Sequence, residues 1–506
     1  MKTIVIGSGM SGLTAALYCA REGNQVTVFE QGGDIGGVTA TMERDGFRWD
    51  IGPLNLEGFA PGEPAGRILS DLGVYGSIRL VREDRGASYP DFTITRPAEY
   101  KGPYWRRDEL KKLFPDEAPG IDRYYRLFGR VSSLMRLARE AEWSYGIVKI
   151  LRTARMYAAL IPLLPKLKWS AARLTDRLFK SEKLKAVFTS MLADFVVRPS
   201  EFIGLGLPAI NPETAYDRRI PFADGASGMS YHCVVDGCRT IVDAMAARLK
   251  ELGGSIRISS PVTDIVVESG RVTGVKCGDE FIPADLIIAS GGARETFFGL
   301  VGKEHLTAEY IERVETLPLM ESVLMVQLGI DFDPAKYQDS ALRYYIGTYA
   351  IEEAVDELRS GHYHRGRDGF LIYVPSWNSP GMAPSGMHAV TVYTVAPDRL
   401  DEGTWDERRE ELADELLAAA EKVMPGLREH AKVRVVLTPD DFRRITHLSR
   451  HAFGGFAPVM GREGVPHRTP VRGLYFIGAQ SASGGGIGNV VQGARRAYAM
   501  IARDMR

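Results

Sequence analysis

The first thirty residues constrain this chain more than any other stretch. Lys2 to Ile6 (KTIVI) is a short apolar run of buried-strand type, and Gly7-Ser8-Gly9-Met10-Ser11-Gly12 follows it directly. Helical spacing runs from Leu13 to Glu22, Gly23-Asn24 closes it, and Gln25 to Phe29 (QVTVF) is a second strand ending at Glu30. Strand, glycine turn, helix and strand in this order predict the opening unit of a dinucleotide-binding, Rossmann-type α/β fold. Gly7 makes the tight turn, Gly9 lets the backbone approach a pyrophosphate, and Gly12 permits close packing of helix on strand. The helix start around Ser8, Met10 and Ser11 offers free N–H groups and positive dipole to phosphates. Glu30, followed by Gln31, is placed to accept hydrogen bonds from ribose hydroxyls.

Just beyond Glu30 come Gly36-Gly37, Thr39 and Thr41, then Asp45-Gly46-Phe47-Arg48-Trp49-Asp50-Ile51-Gly52. Here the sequence resembles the flavoprotein superfamily of phytoene desaturases, carotenoid isomerases, retinol saturases and amine oxidases. The resemblance implies FAD, with Gly36, Gly37, Val38 and Thr39 against its pyrophosphate. Val38 stands where many members have arginine, which points away from amine oxidases. The stretch Glu43 to Phe59 looks somewhat closer to carotenoid isomerases than to desaturases.

Two later segments continue the pattern. An amphipathic helix from Thr240 to Leu252 leads through Pro261-Val262, a hairpin at Ser269-Gly270 and a strand from Ala284 to Ala289. In the resembled family this set returns the chain to the FAD domain, and the residue matching Val262 pairs its backbone with adenine. Near the end, Gly473 to Ala479 is a strand closing on Gly478-Ala479, and Ser483-Gly484-Gly485-Gly486-Ile487-Gly488-Asn489 opens a helix. Such a helix start stabilises negative charge on a nearby flavin. The segment resembles the "GLYxxGxxxxxGGGI" signature of the same superfamily, departing from it at Gln480-Ser481-Ala482 and at Gly488-Asn489. The expected organisation is a discontinuous FAD-binding domain of residues 1–75, 225–300 and 441–506. A mixed-sheet substrate domain takes 76–224 and 301–440, with a helical cap at 131–190.

At 506 residues the chain suits two or three domains, and 45% hydrophobic with 25% charged residues is the balance of a folded soluble protein. A net charge of −1 gives no reason to expect nucleic acid. Cys19, Cys233, Cys238 and Cys277 make no disulfide framework. Cys233 and Cys238 have the spacing of a redox pair but lie away from where disulfide reductases carry theirs, so packed thiols are expected. His447 and His451 would share a helical face as metal ligands, yet no acid or cysteine cluster accompanies them, and no metal is expected. No uncharged apolar run reaches spanning length and the first strand opens at Lys2, so a cytoplasmic protein is expected. From Trp143 to Leu174, Lys149, Arg152, Arg155, Lys166, Lys168 and Arg173 interleave with apolar residues without one acid. That stretch reads equally as an interfacial, inner-face membrane segment or as a solvated basic face.

No second strand–GxGxxG–helix unit occurs, and Ser290-Gly291-Gly292-Ala293 lacks the spacing. The flavin is therefore expected to pass electrons to a quinone or oxygen, or to end each turnover in its starting state. The resemblance implies an apolar isoprenoid or polyene substrate and desaturation by hydride transfer to flavin, with isomerisation or saturation by reduced flavin as rivals. Tyr231 and His232, beside Asp236-Gly237, are the candidate catalytic bases. Aromatics at Tyr344, Tyr345, Tyr349, Phe370, Tyr373 and Trp377 suit either a tunnel or ordinary core. Prenyl-protein escort factors share the fold without redox chemistry; the intact Glu30 and both glycine segments weigh against that reading.

Overall fold

One sheet gathers segments that lie hundreds of residues apart. In the computed structural model, which describes residues 1–221 and 229–505, its five strands are all parallel. They run in the order Ser255–Arg257, Gln25–Phe29, Lys2–Ile6, Leu286–Ser290 and Leu474–Ile477. These strands read as apolar runs because both sheet faces are covered. Val5, Val26, Val28, Leu286 and Ile288 pack with Leu13, Ala16, Ile241, Met245, Val491 and Ala494, which come from the helices Met10–Arg21, Arg239–Glu251 and Ile487–Asp504. The alternate residues Ile4, Ile287, Ala289 and Leu474 face Val272, Phe297 and Tyr310 on the other side. The opening and closing helices also touch directly, with Tyr18 stacked on Tyr498 at 5.1 Å between ring centroids. The expected boundary at 224/225 lies outside the described residues.

A second, seven-stranded sheet runs Ala431–Leu437, Ser322–Ile330, His388–Ala396, Gly369–Tyr373, Leu342–Ile346, Arg85–Ser88 and Thr93–Ile94. Only the pairing of Leu342–Ile346 with Arg85–Ser88 is parallel, so the sheet is mixed. One face packs on the helix Trp405–Ala420 through Leu412, Leu416 and Ala420. On the other, Met325, Leu342, Leu371 and Tyr393 form a separate core. Helices Ala118–Glu142, Ala171–Leu178 and Glu182–Thr189 cap this region through Tyr124, Phe128, Leu174, Leu184 and Phe188. Within the cap Arg106 and Glu213 form an ion pair at 3.1 Å, both almost completely buried.

Between the two large sheets lies a small antiparallel one, ordered Leu56–Glu57, Tyr231–Val234 and Leu80–Arg82.

The helix Pro439–Thr446 stops before His447, which takes a left-handed conformation (φ 53°) as its C-cap, so His447 and His451 share no helical face. His451 is instead stacked on Phe442 with its Nδ1 2.6 Å from Ser322 Oγ. No group of three metal-ligating side chains occurs among the described residues. Cys233 and Cys238 are free, buried thiols. Burial and the neighbouring Glu83 and Asp50 carboxylates push both well above the usual thiol range, which suppresses the reactive thiolate.

Candidate active site

The glycines of the opening turn differ in what surrounds them. A Cβ on Gly7, whose φ is 93°, would lie 2.5 Å from the Ser290 carbonyl oxygen, and one on Gly12 would lie 2.0 Å from that of Gly7. Both are excluded by backbone. A side chain on Gly9 would meet nothing within 4 Å, so this Cα faces open space. Gly9 caps the helix Met10–Arg21 with no side-chain hydrogen bond, and the first turn carries no acid. Its free N–H groups and dipole therefore remain available to an anion.

Glu30 braces this turn. Its Oε2 accepts from the Ser8 N–H at 2.9 Å and the Ser8 hydroxyl at 2.5 Å, while Oε1 accepts from the Gly32 N–H at 2.8 Å. The Gly36 N–H in turn donates to Ser8 Oγ at 3.1 Å, and a Cβ on Gly37 would lie 3.9 Å from the Gly9 Cα. The glycine pair thus lies against the opening turn. Val38 offers its carbonyl to the close approach of Gly52, and Thr39 is buried with its N–H donating to Gly36 at 3.1 Å. Met10 is buried in the helix–sheet core, Ser8 and Ser11 are buried, and Gln31 is exposed. Val262 follows Ser259 and Ser260, whose N–H groups donate to the Gly32 and Glu30 carbonyls, each at 2.8 Å.

The carboxy-terminal segment reaches the same place. Ser11 Oγ and Ser290 Oγ are 2.7 Å apart, and a Cβ on Gly478 would lie 3.6 Å and 3.5 Å from them. Ala479 backs Gly455, while a Cβ on Gly485 would sit 1.6 Å from the Gly454 oxygen. Gly486, at φ 90°, caps the closing helix without a side-chain bond or a first-turn acid. Ile487 packs on the nucleotide-side core, and Asn489 Nδ2 donates to the Gly485 carbonyl at 2.8 Å. Gly488 lies beneath the Glu57 carbonyl, 2.6 Å from its would-be Cβ. Sequence reasoning passed over Ser290-Gly291 as a failed second nucleotide motif. The structure puts Ser290 on the back of the Gly7 turn, and a Cβ on Gly291 would meet nothing within 4 Å. The available signal was a small, glycine-rich step at the end of an apolar strand.

Tyr231 and His232 sit side by side in the small sheet but face opposite ways. Tyr231 is the register partner of Glu57, and His232 that of Leu56. Tyr231 stands under the Arg85 guanidinium, 5.3 Å from ring centroid to carbon. Burial and Glu57 hold its phenol above the usual tyrosine range. His232 is buried, with Nδ1 lacking a hydrogen-bond partner. Burial, then Arg82, lowers it to about 4, so the imidazole is neutral near pH 7.

Over the mixed sheet a cavity is lined by Asp194, Tyr344, His364, Phe370, Leu371 and Tyr393. Of the aromatics singled out in the sequence, Tyr344 and Phe370 line it. Tyr345 and Trp377 pack into cores, the Tyr373 hydroxyl donates to Glu83, and that of Tyr349 donates to Asp91.

A bare-glycine turn braced by an acid, with a second uncapped helix start packed on the same sheet, defines a dinucleotide-binding fold with room for an anion in front of Gly9. Residues 10–501 match the family described as flavin containing amine oxidoreductase, and the chain belongs to that family. Its cofactor is FAD. The chain is 25% identical to the chloroplastic prolycopene isomerase of Daucus carota, over 96% of this chain and 77% of the relative. It is 27% identical to the all-trans-zeta-carotene desaturase of Myxococcus xanthus, over 99% and 93%. The crystal structure of an oxidoreductase from Methanosarcina mazei shares the fold, with TM-score 0.63, 20% identity and coverage of 98% and 99%.

Proposed function

We propose that this FAD-dependent oxidoreductase acts on a polyene or similar apolar isoprenoid, introducing a double bond. The observation that carries this reading is the small, largely apolar, aromatic-lined cavity over the mixed sheet, the same sheet that carries Arg85 over the Tyr231 ring. The similarity to a carotene desaturase along nearly the whole chain supports it. Gly9, the Met10–Arg21 helix start, Gly36 and Gly37 would hold the FAD diphosphate, Glu30 a ribose, and the Gly484–Asn489 segment the flavin edge. When bound, the flavin supplies a hydride acceptor; the protein supplies orientation and exclusion of water. The similarity to prolycopene isomerases over 96% of the chain favours cis–trans isomerisation as the second reading. Anaerobic mixing of the oxidised holoprotein with candidate polyenes separates the two. Flavin bleaching with a product two hydrogens lighter is the expected result; unchanged product mass means isomerisation, and a colourless protein that takes up no FAD removes both.

Electron transfer from the flavin to a quinone or oxygen, and docking on a membrane, belong to the same proposal. Among the described residues no helix is long and apolar enough to cross a membrane. The helix Gly146–Leu160, however, buries none of its residues, and Tyr145, Ile147, Ile150, Leu151, Tyr157 and Ile161 are all exposed. Lys149, Arg155, Lys166 and Lys168 border this apolar surface without an acid between them. Exposed apolar area with a basic rim complements an anionic bilayer interface, which is where a lipid-soluble substrate is dissolved. The protein is expected to float with anionic liposomes and to lose at least half of that binding when Ile147, Ile150 and Leu151 are all changed to serine; wild-type protein left wholly in the unbound fraction contradicts docking.

A further inference from the structure

We propose that Glu57 is the proton-accepting residue of this site, taking the proton that leaves the substrate carbon next to the one that gives up a hydride. The inference deepens the desaturase reading and rests on it.

Three features of the fold place Glu57 there. Its backbone lies against the first turn of the closing helix, at Gly488. Antiparallel register pairs it with Tyr231, and directly opposed residues of such a pair project from the same face. Arg85, buried and 5.3 Å above Tyr231, lies on that side. Arg85 also connects this face to the cavity. Leu342 is the register partner of Arg85 and Tyr344 that of Ala87, while Leu371 pairs with both Tyr344 and Tyr393. Arg85 therefore shares a sheet face with Tyr344, Leu371 and Tyr393, three of the cavity's walls.

The chemistry of the neighbours singles out the carboxylate. The Glu57 residue is half-buried and its carboxylate makes no hydrogen bond or ion pair among the described residues, whereas Glu63 accepts from Ser230 and Ala60, and Glu83 from Asn378 and Tyr373. Burial raises Glu57 to about 7, with Arg85 and Arg139 opposing the rise and Glu63 adding to it. Such a group is ionised for half its population near neutrality and is a stronger base than an ordinary carboxylate. His232, lowered to about 4, is a weaker base and projects to the opposite face. Tyr231 stays a protonated phenol.

In the step, one substrate C–H bond breaks with its electron pair leaving as hydride to the flavin. The neighbouring C–H bond breaks with its proton passing to the Glu57 carboxylate, and the pair left behind becomes the new π bond. Glu57 then returns its proton to water, and a quinone or oxygen reoxidises the flavin.

The test compares wild type, Glu57→Gln and Glu57→Asp as FAD-loaded proteins, with infrared pH titration and anaerobic single-turnover flavin reduction by a polyene. Glu57→Gln should bind FAD as wild type does and melt at the same temperature. It should lack a protonated-carboxyl band that titrates near pH 7 in wild type, and should reduce flavin at least 100-fold more slowly. Wild-type reduction should rise with pH through about 7, because only the carboxylate accepts a proton, and Glu57→Asp should recover part of the rate with that profile retained. A Glu57→Gln rate within twofold of wild type, or a wild-type carboxyl spectrum identical to that of the variant, overturns the proposal while leaving the desaturase reading intact. A wild-type holoprotein that no polyene reduces overturns the desaturase reading and this one with it.

Discussion

Gly9→Val is expected to bind FAD at least 100-fold more weakly than wild type, about 2.8 kcal/mol, while the cofactor-free protein melts unchanged. The expectation follows from the space around three neighbouring glycines. Gly7 and Gly12 are glycine because the protein's own backbone occupies the room a Cβ would take, at 2.5 Å and 2.0 Å. Gly9 has nothing within 4 Å, and its φ of −65° and ψ of 173° suit a β-branched residue. Valine therefore fits the free protein and fills only the volume in front of the helix start, where a diphosphate would sit. Gly12→Val, by contrast, is expected to destabilise the fold itself. Equilibrium titration of both proteins with FAD, beside thermal melts, distinguishes the two cases. Unchanged FAD affinity in Gly9→Val would show that the diphosphate lies elsewhere.

Arg106→Met is expected to lower stability by about 3–5 kcal/mol, read as a shift of the urea midpoint. Arg106 donates to Glu213 Oε1 at 3.1 Å and lies 3.5 Å over the Tyr216 ring, and Tyr125 donates to the same carboxylate oxygen at 3.0 Å. Removing the cation leaves Glu213 buried with no partner of opposite charge within hydrogen-bond reach, and desolvation then raises the cost of its ionised form. Replacing both groups removes that orphaned charge, so Arg106→Met combined with Glu213→Leu is expected to recover a substantial part of the loss. A double variant no more stable than Arg106→Met would assign the effect to lost stacking on Tyr216 instead.

What could be read from the sequence was what is local. Lys2–Ile6 and Gln25–Phe29 appear as strands with the bounds their apolar runs suggested, and the helix between them begins within the glycine motif. The strands near 370 and 390 were equally plain, because long apolar, β-branched runs have few other solutions. Long-range contacts left no such trace. Nothing in Ser290-Gly291 shows that it backs the Gly7 turn, since that contact depends on two parallel strands pairing across most of the chain. Glu57 was equally hidden: its strand is two residues long, and its neighbours Tyr231, Arg85 and Gly488 come from three other segments. The spacing of His447 and His451 suits one helical face, but the helix has already ended at Thr446, which the spacing alone does not reveal.

A crystal structure of the protein with FAD bound tests most directly whether two remote glycine segments hold one flavin. The diphosphate is expected over Gly9 and the flavin ring beside Gly485 to Gly488, on the side of Tyr231 and Glu57. A diphosphate away from Gly9, or a ring lying against any surface other than the start of the closing helix, would contradict the account.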